Sequence, residues 1–374
     1  MKLYIMNYGY LDMDGNEYSL GGVDTYISML VEVAKEMNID SIVYQFANRD
    51  FIINLKNTTV VGVKIDNNWS LRKKKKILFN SLKKDFNAKE DVLIFATDYI
   101  NVKNNFNRVI CIQHGVAWDI QRKKQTCNLL NKLYIFKAAL GAYIKSIRYD
   151  YSKVLVCVDY NFLNWYRTQV ARIRQDIYVI PNAAKCNENY IKDDNNIVKI
   201  IFARRLYEYR GTRIFIDSIT KILEEFNNIQ ITIAGEGPDK EYMKEKLKNY
   251  DNVSFIKYNA NESIKIHSKH DIAIVPTTGS EGTSLSLLEA MSSSCAVITT
   301  NIGGLTNIII NNYNGLLISP NSSELYIAIR ELIVNENLRK RLSKNARDSV
   351  ELGFNFEVWK ESWKKVIQNT ISRY

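Results

Sequence analysis

Ile272-Ala273-Ile274-Val275-Pro276-Thr277-Thr278-Gly279-Ser280-Glu281-Gly282-Thr283-Ser284-Leu285-Ser286-Leu287-Leu288-Glu289-Ala290-Met291 reads as a buried strand, a turn and a helix in direct succession. Four apolar residues, 272–275, stop at Pro276 and the small residues 276–280. Leu285, Leu288 and Met291 then recur at helical spacing. Thr283 or Ser284 can cap that helix. A strand that feeds a helix through a short turn is half of a βαβ unit.

The same rhythm runs outward in both directions. On the C-terminal side of the chain, apolar runs fall at 198–203, 230–234, 253–256, 272–276 and 296–299, with helical patterns between them. An earlier series falls at 3–6, 41–45, 92–96, 108–113, 154–158 and 177–180, with helices starting near Val23 and Leu71. Pro181-Asn182-Ala183 and a polar stretch over 187–196 interrupt the two series. The pattern predicts an α/β chain of two doubly wound, Rossmann-like domains facing across a cleft. The expected limits are 1–185, 186–352 and a C-terminal helix over 353–374. Phe356, Trp359 and Trp363 lie at helical spacing there, which predicts packing back on the N-terminal domain.

Composition narrows the partners. Of 374 residues, 46% are apolar and only 4 are proline, which fits real cores without long stiff linkers. Lys and Arg exceed Asp and Glu by 51 − 40 = 11. That excess favours polyanions: phosphates, acidic membrane surfaces or nucleic acid. No aromatic–basic motif supports nucleic acid. The five cysteines, Cys111, Cys127, Cys157, Cys186 and Cys295, have no zinc or redox spacing. Cys111, Cys157 and Cys295 sit in apolar runs and read as core, and an odd count without a framework fits a reducing cytoplasm. Residues 1–6 read as a strand rather than a signal peptide, and no apolar run is long enough to span a bilayer.

Candidate functional residues cluster at the ends of predicted strands. Where a helix starts after a strand, amide groups and the positive dipole end suit a diphosphate. Gly282, Thr283, Ser284 and Leu285 occupy that place. Glu289, a turn inside the helix, can accept two hydrogen bonds from a diol, and Glu281 lies on the loop. A capped surface helix with two solvated carboxylates accounts for the same letters. Arg204, Arg205 and Arg210 crowd the exit of run 198–203, where guanidinium forks can pair with phosphate, or form a basic surface loop. Gly21-Gly22 precedes an amphipathic helix and permits close approach of an anion or sugar; taken alone the pair reads as an ordinary flexible loop. His114, in Gln113-His114-Gly115, ends another strand. Gly235-Glu236-Gly237-Pro238 reads as a turn at the ligand crevice. His267 and His270 read as surface residues. Asp12-Met13-Asp14 reads as a surface turn rather than a metal-holding pair.

Together these elements resemble the retaining glycosyltransferase family 4, with the GT-B fold, within the glycosyl transferases group 1. The resemblance runs in order through Gly21-Gly22, His114-Gly115, Pro181-Asn182, Arg205…Arg210-Gly211, Gly235-Glu236-Gly237-Pro238, Glu281…Glu289, Gly303-Gly304-Leu305 and Asn314-Gly315-Leu316-Leu317. It implies that Glu289 binds the ribose of a nucleotide-sugar donor and that Glu281 lies beside the donor sugar. It implies that backbone around Gly282, Thr283, Ser284 and Leu285 meets the diphosphate. Arg205 and Arg210 would neutralise that diphosphate. Gly21, Gly22 and His114 would contact the donor sugar or acceptor side, and Gly235 and Gly237 the donor. Glu281, His114, Arg205 and Arg210 are the expected catalytic set.

Departures from the family pattern are local. Arg210 stands for the usual Lys, Arg204 and Ala183 for Gly, and Asn307 for a frequent Glu. Ser294 and Ala296 stand for Gly and Pro. The resemblance implies a nucleotide-sugar donor, a glycan or lipid-linked acceptor, no metal, no cofactor and no nucleic acid. It implies a role in cell-surface polysaccharide biosynthesis. A sugar-nucleotide epimerase of the same architecture, a basic binding module and a silent homologue are the rival readings. Transfer to an acceptor separates the first rival, and salt-steep nucleic-acid binding the second. Lys73 to Lys76, Arg122-Lys123-Lys124 and the helical stretch 129–148 place much of the basic charge in the first domain. There Leu129, Leu133, Phe136, Leu140 and Tyr143 recur beside Lys132, Lys137, Lys145 and Arg148. That pattern fits either an anionic membrane surface or a core-facing helix with solvated lysines. The expected location is cytoplasmic, peripheral on the inner face of the membrane.

Overall fold

The computed structural model describes residues 1–18, 21–114, 129–147, 151–169, 175–186, 196–259 and 262–374. Gly115, Arg122, Lys123, Lys124, Cys127 and Arg148 lie outside the described residues. The chain divides into two compact units. One comprises Met1–Ile120, Thr126–Ile180 and Trp359–Tyr374; the other comprises Gln121–Gln125 and Pro181–Val358. The break falls at Ile180–Pro181, a few residues ahead of the expected 185.

In the first unit the strands are β1 (Lys2–Met6), β2 (Asp40–Ala47), β3 (Phe51–Asn54), β4 (Thr59–Lys64), β5 (Val92–Phe95), β6 (Val109–Gln113), β7 (Val154–Cys157) and β8 (Asp176–Val179). They line up as β3-β4-β2-β1-β5-β6-β7-β8, and β3 alone of these described strands is antiparallel to its neighbour. The helices are α1 (Gly22–Glu36), α2 (Leu71–Asp85), α3 (Leu129–Ile147) and α4 (Tyr160–Gln169). Parallel strands buried on both faces are apolar throughout, as in Leu3, Tyr4, Ile5 and Met6, all buried. The β3–β4 pair was absent from the sequence expectation. Gly62 breaks the apolar run of β4, and the Phe51 ring lies over it from β3. The pair is made by that cross-strand contact, which no single strand pattern announces.

In the second unit the strands are β9 (Val198–Ala203), β10 (Ile229–Ala234), β11 (Val253–Ile256), β12 (Ile272–Val275), β13 (Ala296–Thr300) and β14 (Leu316–Ile318). They line up as β11-β10-β9-β12-β13-β14, with every described pair parallel. The helices are α5 (Thr212–Glu225), α6 (Lys240–Leu247), α7 (Ser263–His267), α8 (Leu285–Ser292), α9 (Ser322–Val334) and α10 (Glu336–Gly353); the last helix, α11 (Phe356–Arg373), belongs to the first unit from Trp359 onward. The strand order reverses between β9 and β12, the point where an open α/β sheet leaves room for a ligand outside its carboxyl ends. In the first unit it reverses between β1 and β5.

From Trp359 onward, α11 packs within the first unit. Trp359 and Trp363 are buried against Tyr26 of α1, and Trp363 Nε1 donates to the Tyr26 hydroxyl at 2.9 Å. Lys360 and Lys364 pair with Glu36 at the other end of α1. Replacing Trp363 with Ala removes a fully buried indole and a hydrogen bond to the buried Tyr26 hydroxyl. Trp363→Ala is expected to cost the first unit about 3–5 kcal/mol, read from the denaturant transition of that unit.

Candidate functional site

The quoted stretch forms β12, a loop and α8. Its loop is held on both sides. Thr278 and Gly279 donate their amides to Tyr209 O at 3.0 Å, and Asn182 Nδ2 donates to Thr283 O at 2.6 Å. From behind, Gly304 donates its amide to Glu281 O at 2.8 Å. A Cβ on Gly303 would sit 2.2 Å from Glu281 O, and one on Gly304 would sit 2.4 Å from the Gly282 carbonyl carbon. Gly303 also has φ 53°. These glycines let two backbones touch, which fixes where Glu281 and Gly282 stand.

Glu281 Oε2 is the hub of the site. It accepts from Arg204 Nη2 at 2.8 Å, from Arg210 Nη1, and from Thr277 Oγ1 at 3.0 Å. Arg204 is buried, and its Nη1 donates to Thr277 Oγ1 at 2.7 Å and to Arg210 O at 3.4 Å. Its Nε has no hydrogen-bond partner among the described residues. Arg210 also lies over the Tyr209 ring at 5.1 Å. Burial would raise the Glu281 carboxyl, but Arg204 and Arg210 outweigh it and hold it below the usual range. Burial pulls the Arg204 guanidinium down, and Glu281 only partly offsets that. Two guanidiniums thus face one carboxylate, leaving net positive charge at the sheet's switch point.

The two arginines expected at the diphosphate, Arg205 and Arg210, stand in different surroundings. Arg205 is exposed and lies over Tyr207 at 5.8 Å, outside the Glu281 cluster. Arg204 takes the inner place. The two residues leave the same strand end on opposite sides, as neighbours in extended chain do.

α8 starts at Leu285, and its first-turn amides have no partner within the helix by geometry. Ser284 is the N-cap residue, but its side chain makes no capping bond; Ser284 Oγ lies 3.2 Å from Ser286 Oγ. Thr283 and Ser284 are buried. One turn on, Glu289 accepts from Ser263 Oγ at 2.6 Å. Burial pushes its carboxyl up to about 7, with the Ser263 bond acting the other way. Burial and the Glu289 charge raise the Tyr258 hydroxyl to about 12, while Ser263 and Arg204 lower it. Tyr258 therefore feels both the Glu289 end and the Arg204 end of the site.

Gly235 and Gly237 stand behind the arginines. A Cβ on Gly235 would lie 2.2 Å from Arg204 O, and one on Gly237 would lie 2.3 Å from Leu206 O. Close backbone packing and a positive φ, 143° at Gly235 and 158° at Gly237, both call for glycine. His267 and His270, expected at the surface, are instead buried. α7 lies against α8, and carbonyls satisfy both rings: Ser263 O at 2.8 Å from His267 Nδ1, and Ile266 O at 2.8 Å from His270 Nδ1. Burial pushes His267 down to about 4.

The remaining expected residues belong to the first unit. Gly21 is the N-cap of α1 in ordinary extended conformation, and an added Cβ would meet only the flexible Asp24 carboxylate, at 2.8 Å. Burial raises the Asp24 carboxyl to about 6. Gly22 is the first residue of α1. His114 Nε2 lies 2.9 Å from Ala96 O, and its ring meets Tyr26 edge-on at 5.0 Å. Burial pushes it down to about 4 despite the Ala96 bond. A carbonyl only accepts, so Nε2 carries the proton and Nδ1 is an acceptor at neutral pH. Asp12 Oδ1 accepts from the amides of Asp14 and Asn16, closing a turn. Among the described residues, no group of three or more His, Cys, Asp or Glu side chains is placed to hold a metal ion.

A structure of sucrose-phosphate synthase from Thermosynechococcus elongatus aligns over 100% of both chains, with a TM-score of 0.77 and 14% identity. The fold is GT-B. Residues 187–349 match the family model for glycosyl transferases group 1, so the Glu281 site lies inside that match. An uncharacterized glycosyltransferase of Methanocaldococcus jannaschii is 30% identical over 182 residues, 47% of this chain and 46% of the relative. An Escherichia coli UDP-Gal:alpha-D-GlcNAc-diphosphoundecaprenol alpha-1,3-galactosyltransferase is 22% identical over 260 residues, 66% of this chain and 65% of the relative. The chain spans about half the length of the first of these curated relatives.

Arg204 and Asn182 stood in the sequence pattern without a role toward Glu281 or its loop, and Thr277, Ser263 and Tyr258 were given no site role. Arg204 carried a signal, as an Arg where the pattern that the sequence resembles has Gly. Ser263 and Tyr258 carried none, because they arrive from separate loops, and Thr277 read only as a turn residue. Glu281→Ala would leave Arg204 buried without its counter-ion. It is expected to destabilise the second unit by about 3 kcal/mol or more, against a smaller loss for Arg204→Met, read from urea unfolding.

Proposed function

We propose that the protein is a metal-independent, retaining hexosyltransferase of family 4. It moves a sugar from a nucleotide-diphosphate sugar to a glycan or lipid-linked acceptor in cell-surface polysaccharide biosynthesis. The observation that carries this reading is Glu281 held between Arg204 and Arg210 at the start of α8.

The chemistry follows from charge. As the glycosidic bond to phosphate breaks, negative charge grows on the leaving diphosphate. Arg210 and the α8 amides meet that charge without a metal ion. In the resting site Glu281 neutralises Arg210. An incoming diphosphate competes for the same guanidinium, and Arg204 keeps Glu281 from being left unpaired. Glu281 then stays beside the transferred sugar. Glu289, with its carboxyl near 7, holds the ribose diol best when ionised. His114 enters as a neutral acceptor rather than an acid. Attack from the face the leaving group departs retains configuration, and the leaving phosphate takes the acceptor proton, so no covalent nucleophile is assigned. Gly21, Gly22 and exposed Arg205 are assigned to donor contacts made when the donor is bound. The enzyme is placed on the cytoplasmic face of a membrane as a peripheral protein. The lipid-linked acceptor named for the E. coli relative supports that placement.

Arg210→Ala is expected to lower kcat about a hundredfold, and Glu289→Ala to raise the donor KM about tenfold, in a donor-panel transfer assay. Undiminished turnover in both overturns the assignment. Glu289 is protonated below about 7 and ionised above it, so donor KM should fall as pH rises through that value. Glu289→Gln should flatten the profile. Chelator treatment should leave the rate unchanged.

A further inference from the structure

α3 is built the wrong way round for a core helix. α1 buries Ile27, Leu30 and Val31, and α2 buries Leu78, Phe79 and Leu82. On α3 the large apolar side chains face solvent instead: Phe136 is 67% exposed, Leu133 51%, and Leu140 and Ile144 each 48%. Tyr134 and Ile135 are exposed too. The half-buried residues there are small, Ala138 and Gly141, and a Cβ added to Gly141 would meet nothing within 4 Å. By the helical period Leu133, Phe136, Leu140 and Ile144 form one stripe along the 19-residue helix. Positions 132 and 137, both lysine, flank it on opposite sides.

Charge selects the occupant of this stripe. α3 carries Lys132, Lys137 and Lys145 and no Asp or Glu. In the sequence the acid-free stretch extends from 120 to 149 and holds seven Lys or Arg. A second copy seated here would set lysine flank against lysine flank, with no carboxylate on the helix to pair them. An anionic bilayer offers both partners at once: hydrocarbon for the stripe and phosphate for the lysines at neighbouring positions. A continuous exposed apolar stripe is otherwise a liability in water.

We infer that α3 is a membrane-docking helix that lies in the interface of an anionic lipid surface, stripe inward and lysines at the headgroups. This names the element behind the peripheral part of the functional reading and rests on that part alone, not on the transfer reaction. No described helix is long and apolar enough to cross the bilayer, which fits an element lying along it.

The test uses the full chain and vesicles of phosphatidylcholine alone or mixed equally with phosphatidylglycerol. Co-sedimentation is expected with the mixed vesicles only, and molar salt should weaken it. Leu133→Ser, Phe136→Ser and Leu140→Ser combined should weaken binding about tenfold or more, as should Lys132→Gln, Lys137→Gln and Lys145→Gln combined. Leu133, Phe136, Lys137 and Leu140 are exposed, and the circular dichroism spectrum of both variants should stay unchanged. Fluorescence of the added indole in Phe136→Trp should be quenched by brominated acyl chains. Wild-type protein that ignores phosphatidylglycerol, a serine variant that sediments like wild type, or an unquenched indole overturns the inference. So does a dimer in vesicle-free solution that the serine variant dissolves. Donor hydrolysis without vesicles is measured in parallel. Its absence counts against the transfer reaction and leaves the vesicle result standing.

Discussion

One carboxylate oxygen organises the second unit. Glu281 Oε2 takes hydrogen bonds from Arg204, Arg210 and Thr277, three residues from two strand exits. Burying two guanidiniums is unfavourable unless a counter-charge is buried with them, and removing that counter-charge exposes the full penalty. The strand exits of β9 and β12 are therefore tied to each other through Glu281. The backbone contacts of Gly303 and Gly304 then set the height of Glu281, and the Gly235–Gly237 turn sets the height of Arg204. The glycine pairs do their work as spacers behind the charges.

This arrangement also explains why α8 begins where it does. Ser284 makes no capping bond, so the helix start is left to its surroundings: the Asn182 bond to Thr283 O and the Gly304 bond to Glu281 O. A helix end whose amides are not consumed by its own cap, beside a surplus of positive charge, suits an anion. Glu289 sits one turn further in, where burial rather than a partner cation governs its protonation. The two glutamates of one motif thus have opposite electrostatics. Glu281 is held ionised by arginines, and Glu289 is poised near neutrality by desolvation.

Much of the fold was legible because parallel α/β sheets write themselves locally. Buried strands are short apolar runs, and the helices between them repeat every three to four residues. β9, β11 and α2 fall where periodicity put them. β3 and β4 escaped because Phe51 and Gly62 make sense only as a cross-strand pair. β14 escaped because three residues are too few for a period to appear. His267 and His270 were misplaced for a related reason. Their helix is polar in letters, but α8 covers it, and nearby carbonyls make burial of the rings tolerable.

The sequence by itself determined the alternation of strands and helices, the division into two units, and the loop and helix on which Glu281 and Glu289 stand. Each of these follows from patterns within a few residues of one another. Tertiary structure alone decided which arginine reaches Glu281. Arg204 and Arg205 are adjacent and chemically identical, and only the direction in which the chain leaves β9 sends one inward to Thr277 and the other out beside Tyr207. It also decided that the stripe of α3 faces outward. Helical spacing shows that such a stripe exists, but its surroundings determine whether a core covers it.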